Sequence, residues 1–290
     1  LTNVLKFLPP IHIHPILWFF IGVSLLTGTF MEISVIFAIV IIHEFGHYTM
    51  AKIFQWRIRR ISLWVFGGVM ETDEHGSKPI REELLIALAG PIQHVLIYLV
   101  LIGCSNFSLL PASVILLAFQ YNTTILSFNM LPIWPLDGGK ILFLMYSSIF
   151  PYKKAHEWMI ISSIGCSVIA ALVFLLFYPF TLSTILLVTF ILWENRLEWK
   201  QRYFVFLRFL LTRHTDNVKK TKVRPIFVGA DAPLMNVFSY FRRNYRHDIY
   251  IFDSKESEAA TIDEQECLNA YFKFKQYQAT SGEIVAIRDS

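Results

Sequence analysis

The chain has 290 residues, of which 54% are hydrophobic and 17% charged, with a mean hydropathy of +0.49 and a formal net charge of +4. This balance excludes an ordinary soluble domain and points to a multi-pass membrane protein. The three cysteines, Cys104, Cys166 and Cys267, are too few and too widely spaced for a disulfide framework or a C-x-x-C metal site.

In chain order, Leu1–Pro10 lacks the charged region and small-residue cleavage site of a secretory signal, so no cleaved signal is expected. Spans are expected at about 11–29 and 32–54. No Asp, Glu, Lys or Arg occurs from Leu84 to Leu136, 53 residues, or from Trp158 to Trp193, 36 residues. Even the shorter stretch would make a helix of roughly 54 Å, against a hydrocarbon core of about 30 Å, so each must fold back at least once. Gly103–Ser108 with Pro111 splits the first, giving spans at 84–102 and 111–131. Tyr178-Pro179 splits the second, giving 158–177 and 180–196. Lys and Arg gather in alternate connections: 52–83, Lys153-Lys154, and the stretch after Arg196. That alternation orients a six-span bundle with both termini in the cytosol.

After about Thr212 the charges return. A β-rich run at Val223–Val228, a helical run at Pro233–Phe241, a strand at Asp248–Phe252 and a helix from Asp263 to about Lys273 predict a small β-α-β-α unit. Its core is thin enough to need a partner surface. The expected organisation is a six-span domain over 1–200, a linker over 201–222 and a cytosolic α/β domain over 223–290.

The second span contains His43-Glu44-Phe45-Gly46-His47, an H-E-x-x-H motif. On a helix the two histidines share one face and can hold one metal, with Glu44 placed as general base toward an attacking water. Three ionisable groups at bilayer depth are costly, which argues against coincidence. A catalytic zinc site needs a third protein ligand. Asp137 is the candidate: it is the first charged residue after the 53-residue silence, and its Pro and Gly flanks predict irregular backbone. His12, His14 and His94 are expected in interfacial or packing roles, and His75 in a solvated turn.

H-E-x-x-H in a span, followed by Asn129, Pro132, Leu136, Asp137 and Gly138 in an N-x-x-P-x-x-L-D-G pattern, resembles the site-2 protease family of intramembrane metalloproteases. Ile11–Pro15, Phe66-Gly67-Gly68, Ala89–His94 and Leu131–Lys140 are similar to its sporulation branch, nearly throughout the chain. The resemblance implies one Zn2+ on His43, His47 and Asp137, with Glu44 as the catalytic base. It also implies a re-entrant loop at Phe66, Gly67 and Gly68 that lines the substrate cleft, with Asn129 and Pro135 contributing to substrate binding. His94 stands where many members carry Asn, a departure expected to bear on substrate positioning and not on the metal. The implied substrate is membrane-associated pro-sigma-K. The implied partners are the inhibitory membrane protein BofA and the anchoring protein SpoIVFA, in the mother-cell membrane around the forespore. The tail resembles a single cystathionine-β-synthase (CBS) type module. Such modules pair and many bind adenine nucleotides, which implies an ATP site using Asp263 and Glu266 and a homo-oligomer formed through the modules. The fold expected is thus an all-α polytopic bundle with a re-entrant loop and a small α/β tail. The rival expectation is a metal transporter or a noncatalytic scaffold with a structural His/Asp site.

Overall fold

The computed structural model describes residues 11–13, 15–64, 67–72, 76, 78–177, 182–215, 222–252 and 260–289. It forms two compact units, one of residues 1–132 with 136–141, the other of 133–135 with 142–290.

The first unit begins with strand β1 (Ile11–Ile13) and helix α1 (Pro15–Thr27). Helix α2 (Phe30–Ile53) follows and carries the H-E-x-x-H motif. It stops sharply: Gln55 takes φ 59°, while the amides of Gln55 and Trp56 donate to the carbonyls of Lys52 and Ala51. That pairing closes the orphan carbonyls of the last turn and redirects the chain. Strands β2 (Ile58–Trp64) and β3 (Gly67–Thr72) then pair antiparallel, while β1 pairs parallel with β2 through Ile11↔Ile61. This sheet packs on the helices through Ile61, which is buried with Leu17, Val40 and Tyr48. Helices α3 (Ile80–Asn106) and α4 (Ala112–Asn129) complete the unit, meeting α2 through Ile39, Ile97, Leu101 and Ala118.

Helix α5 (Asp137–Ile149) follows a turn containing the cis peptide Trp134–Pro135. In the second unit, α6 (Tyr152–Phe177) pairs with α7 (Leu182–Thr215). The C-terminal region is a three-stranded sheet in the order β4 (Val223–Gly229), β5 (Arg246–Phe252), β6 (Ala260–Asp263), β4 parallel and β6 antiparallel to β5. Helices α8 (Leu234–Phe238), α9 (Glu264–Phe272) and α10 (Ser281–Asp289) accompany it. One apolar core joins this sheet to the helices: Phe143, Tyr152, Met159, Phe206, Phe209 and Leu210 are buried in the same cluster as Phe238, Phe241, Ile249 and Leu268.

Arg213, near the end of α7, pins the join. Its Nε and Nη2 donate to the two Glu264 oxygens at 2.6 Å each, and its other donors reach the carbonyls of Arg242 and Tyr245. Its guanidinium also lies 5.4 Å from the Phe209 ring and 5.2 Å from that of Phe241. His247 sits fully buried beside it, with its Nδ1 3.1 Å from Glu264 Oε2 and its Nε2 accepting the Arg242 amide.

Three helices among the described residues, Phe30–Ile53, Ile80–Asn106 and Tyr152–Phe174, are long and apolar enough to cross a bilayer. The protein is therefore mostly helical, with a small mixed α/β region at its C-terminus. Several expectations are corrected. The membrane part is not all-α, because β1–β3 form a sheet where loop and span were expected. The Gly67–Gly68 segment lies in the β2–β3 hairpin, while Phe66, His14 and His75 lie outside the described residues. Asp137 opens a regular helix despite the two glycines that follow it. Residues 201–215, expected as linker, are the last turns of α7, held helical by Phe206, Phe209 and Leu210 in the shared core. Strand β6 and helix α10 join the expected β-α-β-α order.

Candidate metal centre

Helix spacing brings His43 and His47 together on one face of α2, and the start of α5 brings Asp137 to them. His43 Nε2 lies 3.0 Å from Asp137 Oδ2, His47 Nε2 lies 3.1 Å from the same oxygen, and the two Nε2 atoms are 3.1 Å apart. All three residues are at most 4% exposed.

The tautomers follow from the outer partners. His47 Nδ1 is 2.7 Å from the Ile86 carbonyl, which can only accept, so Nδ1 carries the hydrogen and Nε2 presents a lone pair. His43 is fixed through a longer chain. Asn122 Nδ2 donates to the His94 carbonyl, which turns Asn122 Oδ1 toward His94 Nδ1 at 2.7 Å. His94 Nδ1 is then the donor there, and His94 Nε2 accepts from His43 Nδ1 at 3.0 Å. His43 Nε2 too presents a lone pair. Three buried lone-pair donors thus converge on one point, an arrangement that repels itself without a cation between. Tetrahedral zinc with N and O ligands at its usual bond lengths sets its donors roughly 3.3 Å apart. The three atoms fit zinc with a spread of a few tenths of an ångström.

Neighbours shape the site from several directions. Lys140 Nζ donates to Asp137 Oδ1 at 2.9 Å, which leaves Oδ2 to face the histidines. Helix α3 passes so close that a Cβ on Gly90 would stand 2.2 Å from His47 Nε2. Ligand atoms of Glu44, His43 and His47 lie within 4.8 Å of one another, and Glu44 is buried. Strand β3 runs over it: a Cβ on Gly68 would come within 2.3 Å of the Glu44 side chain. The edge strand of the hairpin therefore reaches the buried acid of the H-E-x-x-H motif.

Of the other expected site residues, Asn129 is half-buried at the last position of α4, and Pro135 follows the cis peptide in the turn before α5. Asp263 stands just before α9, with its carboxylate taken by Arg246 at 2.9 Å and no capping hydrogen bond from its side chain. Glu266 Oε2 is buried without a hydrogen-bond partner. His12 is exposed in β1. His94 is corrected: fully buried and bonded to His43, it bears on the metal. Its signal in the sequence was only a histidine in an apolar helix, and its partners lie on two other helices. Asn122, Lys140 and Gly90 were not singled out.

The profile of Peptidase family M50 matches residues 31–110 and 107–176. Stage IV sporulation protein FB of Bacillus subtilis is 36% identical over 276 residues, covering 95% of this chain and 96% of that protein. The chain belongs to peptidase family M50. A zinc metalloprotease of Methanocaldococcus jannaschii is 32% identical over 173 residues, 58% of this chain and 49% of that protein. The solved structure of the site-2 protease from Methanocaldococcus jannaschii superposes with a TM-score of 0.52 at 27% identity, covering 65% of this chain and 89% of that one. This M50 protein is a site-2 type intramembrane zinc metalloprotease, and its H-E-x-x-H motif binds the zinc. Membership in this family decides against the transporter and scaffold alternatives.

Proposed function

We propose that the protein cleaves the N-terminal prosequence of a membrane-associated pro-sigma-K type factor, with His43, His47 and Asp137 as zinc ligands and Glu44 as general base. The likeness to a stage IV sporulation protein over 95% of the chain carries the substrate class. Convergence of His43, His47 and Asp137 beside Glu44 supports the roles.

Zinc, when bound, supplies Lewis acidity toward water and toward the scissile carbonyl. Glu44, close to both histidines, takes the proton from the attacking water and returns it to the leaving amine. Lys140 holds Asp137 in its ligating orientation, and His94 with Asn122 holds His43. A substrate helix must unwind before its carbonyls are exposed. The edge of β3 at Gly67 and Gly68 supplies backbone groups to an extended strand, as in β-augmentation. Substrate binding by Phe66, Asn129 and Pro135 is proposed on the family likeness alone.

We place the catalytic part in a six-span bundle with cytosolic termini, which the alternation of basic connections supports. BofA and SpoIVFA are the proposed membrane partners, by the same likeness. The tail is proposed as a CBS-like module. An ATP site there would have to displace Arg246 from Asp263, and titration of the purified full chain with millimolar ATP that produced no heat would sink it.

The primary test is co-expression of the chain, or its Glu44→Gln form, with pro-sigma-K, followed by immunoblot. A shortened product from the wild type alone supports the assignment. Product from both forms removes Glu44 from the chemistry. Product from neither, with zinc bound, removes pro-sigma-K as substrate.

A further inference from the structure

A polar cavity of about 330 Å3 opens between the start of α6 and the middle of α7. Lys153 and Glu157 line it from α6, and Lys200, Arg202 and Tyr203 from α7. Among the described residues no carboxylate pairs with Lys153, Lys200 or Arg202. Glu198, the nearest acid on α7, is already taken by His156 at 2.8 Å, with His156 itself buried in the cavity wall. Arg202 is held in place: its Nη1 donates to the Trp199 carbonyl at 2.7 Å and its guanidinium stacks 4.3 Å from the Trp199 ring. Glu157 offsets one of the three positive charges, and the remainder is a net basic recess.

The two helices agree on where this recess lies. On α6, exposed Trp158 stands five residues beyond Lys153, about 7.5 Å along the axis. On α7, exposed Trp193 stands seven residues before Lys200, about 10 Å. Each helix enters its charge-free stretch on the Trp side of its lysine. Tryptophan favours the interface and Lys/Arg favour the cytosolic face. With the membrane orientation proposed above, on which this inference rests, that order puts the cavity at headgroup level. Unpaired cations bury charge poorly unless an anion joins them, and a phosphate offers several acceptor oxygens to Lys, Arg and Tyr donors at once.

We propose that this cavity binds the phosphate headgroup of an anionic phospholipid of the cytosolic leaflet. Lys153 and Lys200 supply the charge, Arg202 the oriented donors, and Trp158 and Trp193 flank the acyl chains.

The test is native mass spectrometry of the full chain in detergent with added phosphatidylglycerol or phosphatidylcholine, comparing wild type, K153Q/K200Q and K154Q. Lys154 is exposed, adjacent in sequence and outside the cavity lining. Wild type and K154Q should retain phosphatidylglycerol roughly tenfold better than phosphatidylcholine, and K153Q/K200Q should lose that preference. Unchanged retention by K153Q/K200Q would overturn the proposal. An equal loss in K154Q would also overturn it, by reducing the effect to diffuse surface charge. Displacement of the lipid by millimolar inorganic phosphate would reassign the site to a soluble phosphate. Thermal unfolding of each variant guards against misfolding, and R202Q provides an independent variant with the same expected loss.

Discussion

An imidazole that ligates metal through Nε2 needs its Nδ1 hydrogen held, and His43 gets this from His94, which is in turn fixed by Asn122. Removing the acceptor should loosen His43 without touching zinc directly. His94→Leu is expected to weaken zinc about 10- to 100-fold, measured by chelator competition on the purified protein. His94→Asn, whose carbonyl can still accept from Nδ1, should stay much closer to wild type; equal losses in both would show that the hydrogen bond is not the cause. Two glycines allow a second separation at the same scale. A methyl at Gly90 collides with His47 Nε2, and one at Gly68 with the Glu44 side chain. Gly90→Ala should lose zinc, while Gly68→Ala should keep zinc and lose proteolysis, as read by metal analysis beside the pro-sigma-K immunoblot. The motif was legible because H-E-x-x-H is local, and Asp137 stood out as the candidate third ligand because it broke a long uncharged run. The supports were not, because His94, Asn122 and Gly90 gain their meaning only when three helices meet.

Between elements, a buried bidentate ion pair, Arg213 with Glu264, ties α7 to α9. Burial would raise the Glu264 carboxyl, but the His247 hydrogen bond and the Arg213 guanidinium outweigh it and hold the group at about 2, below the ordinary 4.5. A depressed carboxylate stabilises the fold above its unfolded value and loses that contribution as pH falls toward the folded one. The join is thus fully supported above about pH 5 and weakens from there down to about 2. Limited proteolysis of the C-terminal region in the full-length protein should show protection fading across that window. Glu264→Gln leaves Arg213 buried without its charge partner and should cost about 3 kcal/mol near neutral pH. It should also flatten the acid dependence; an unchanged acid profile would assign it to other groups. Other elements show where sequence patterns mislead. The basic connection that holds Arg59 and Arg60 was expected without strands, yet the pair lies in β2, whose pairing with β1 spans some 50 residues of chain. Gly138-Gly139 argues against helix, yet α5 starts there, since tertiary contacts override weak local propensity.

At the scale of the second unit, the C-terminal sheet does not own its core. Phe238, Phe241, Ile249 and Leu268 share one buried cluster with Phe206, Phe209 and Leu210 of α7, and the Tyr152 amide donates to the Phe241 carbonyl. A sheet of three strands with short helices makes a small core alone, so the shared layer is a needed addition to its stability. A fragment of residues 222–290 lacks Arg213 and would leave the Glu264 carboxylate buried with only His247 beside it. It would also expose the apolar faces of Phe238 and Phe241. We expect this fragment to lack a cooperative thermal transition. A fragment of residues 204–290 restores Phe206, Phe209, Leu210 and Arg213 on their native helix and should regain one. Circular dichroism melts of the two, at matched concentration, decide the matter. A sharp transition in the shorter fragment would make the tail an independent domain after all. Its absence there, with recovery in the longer one, would mean that whatever binds the tail acts on a body continuous with the helices of the second unit.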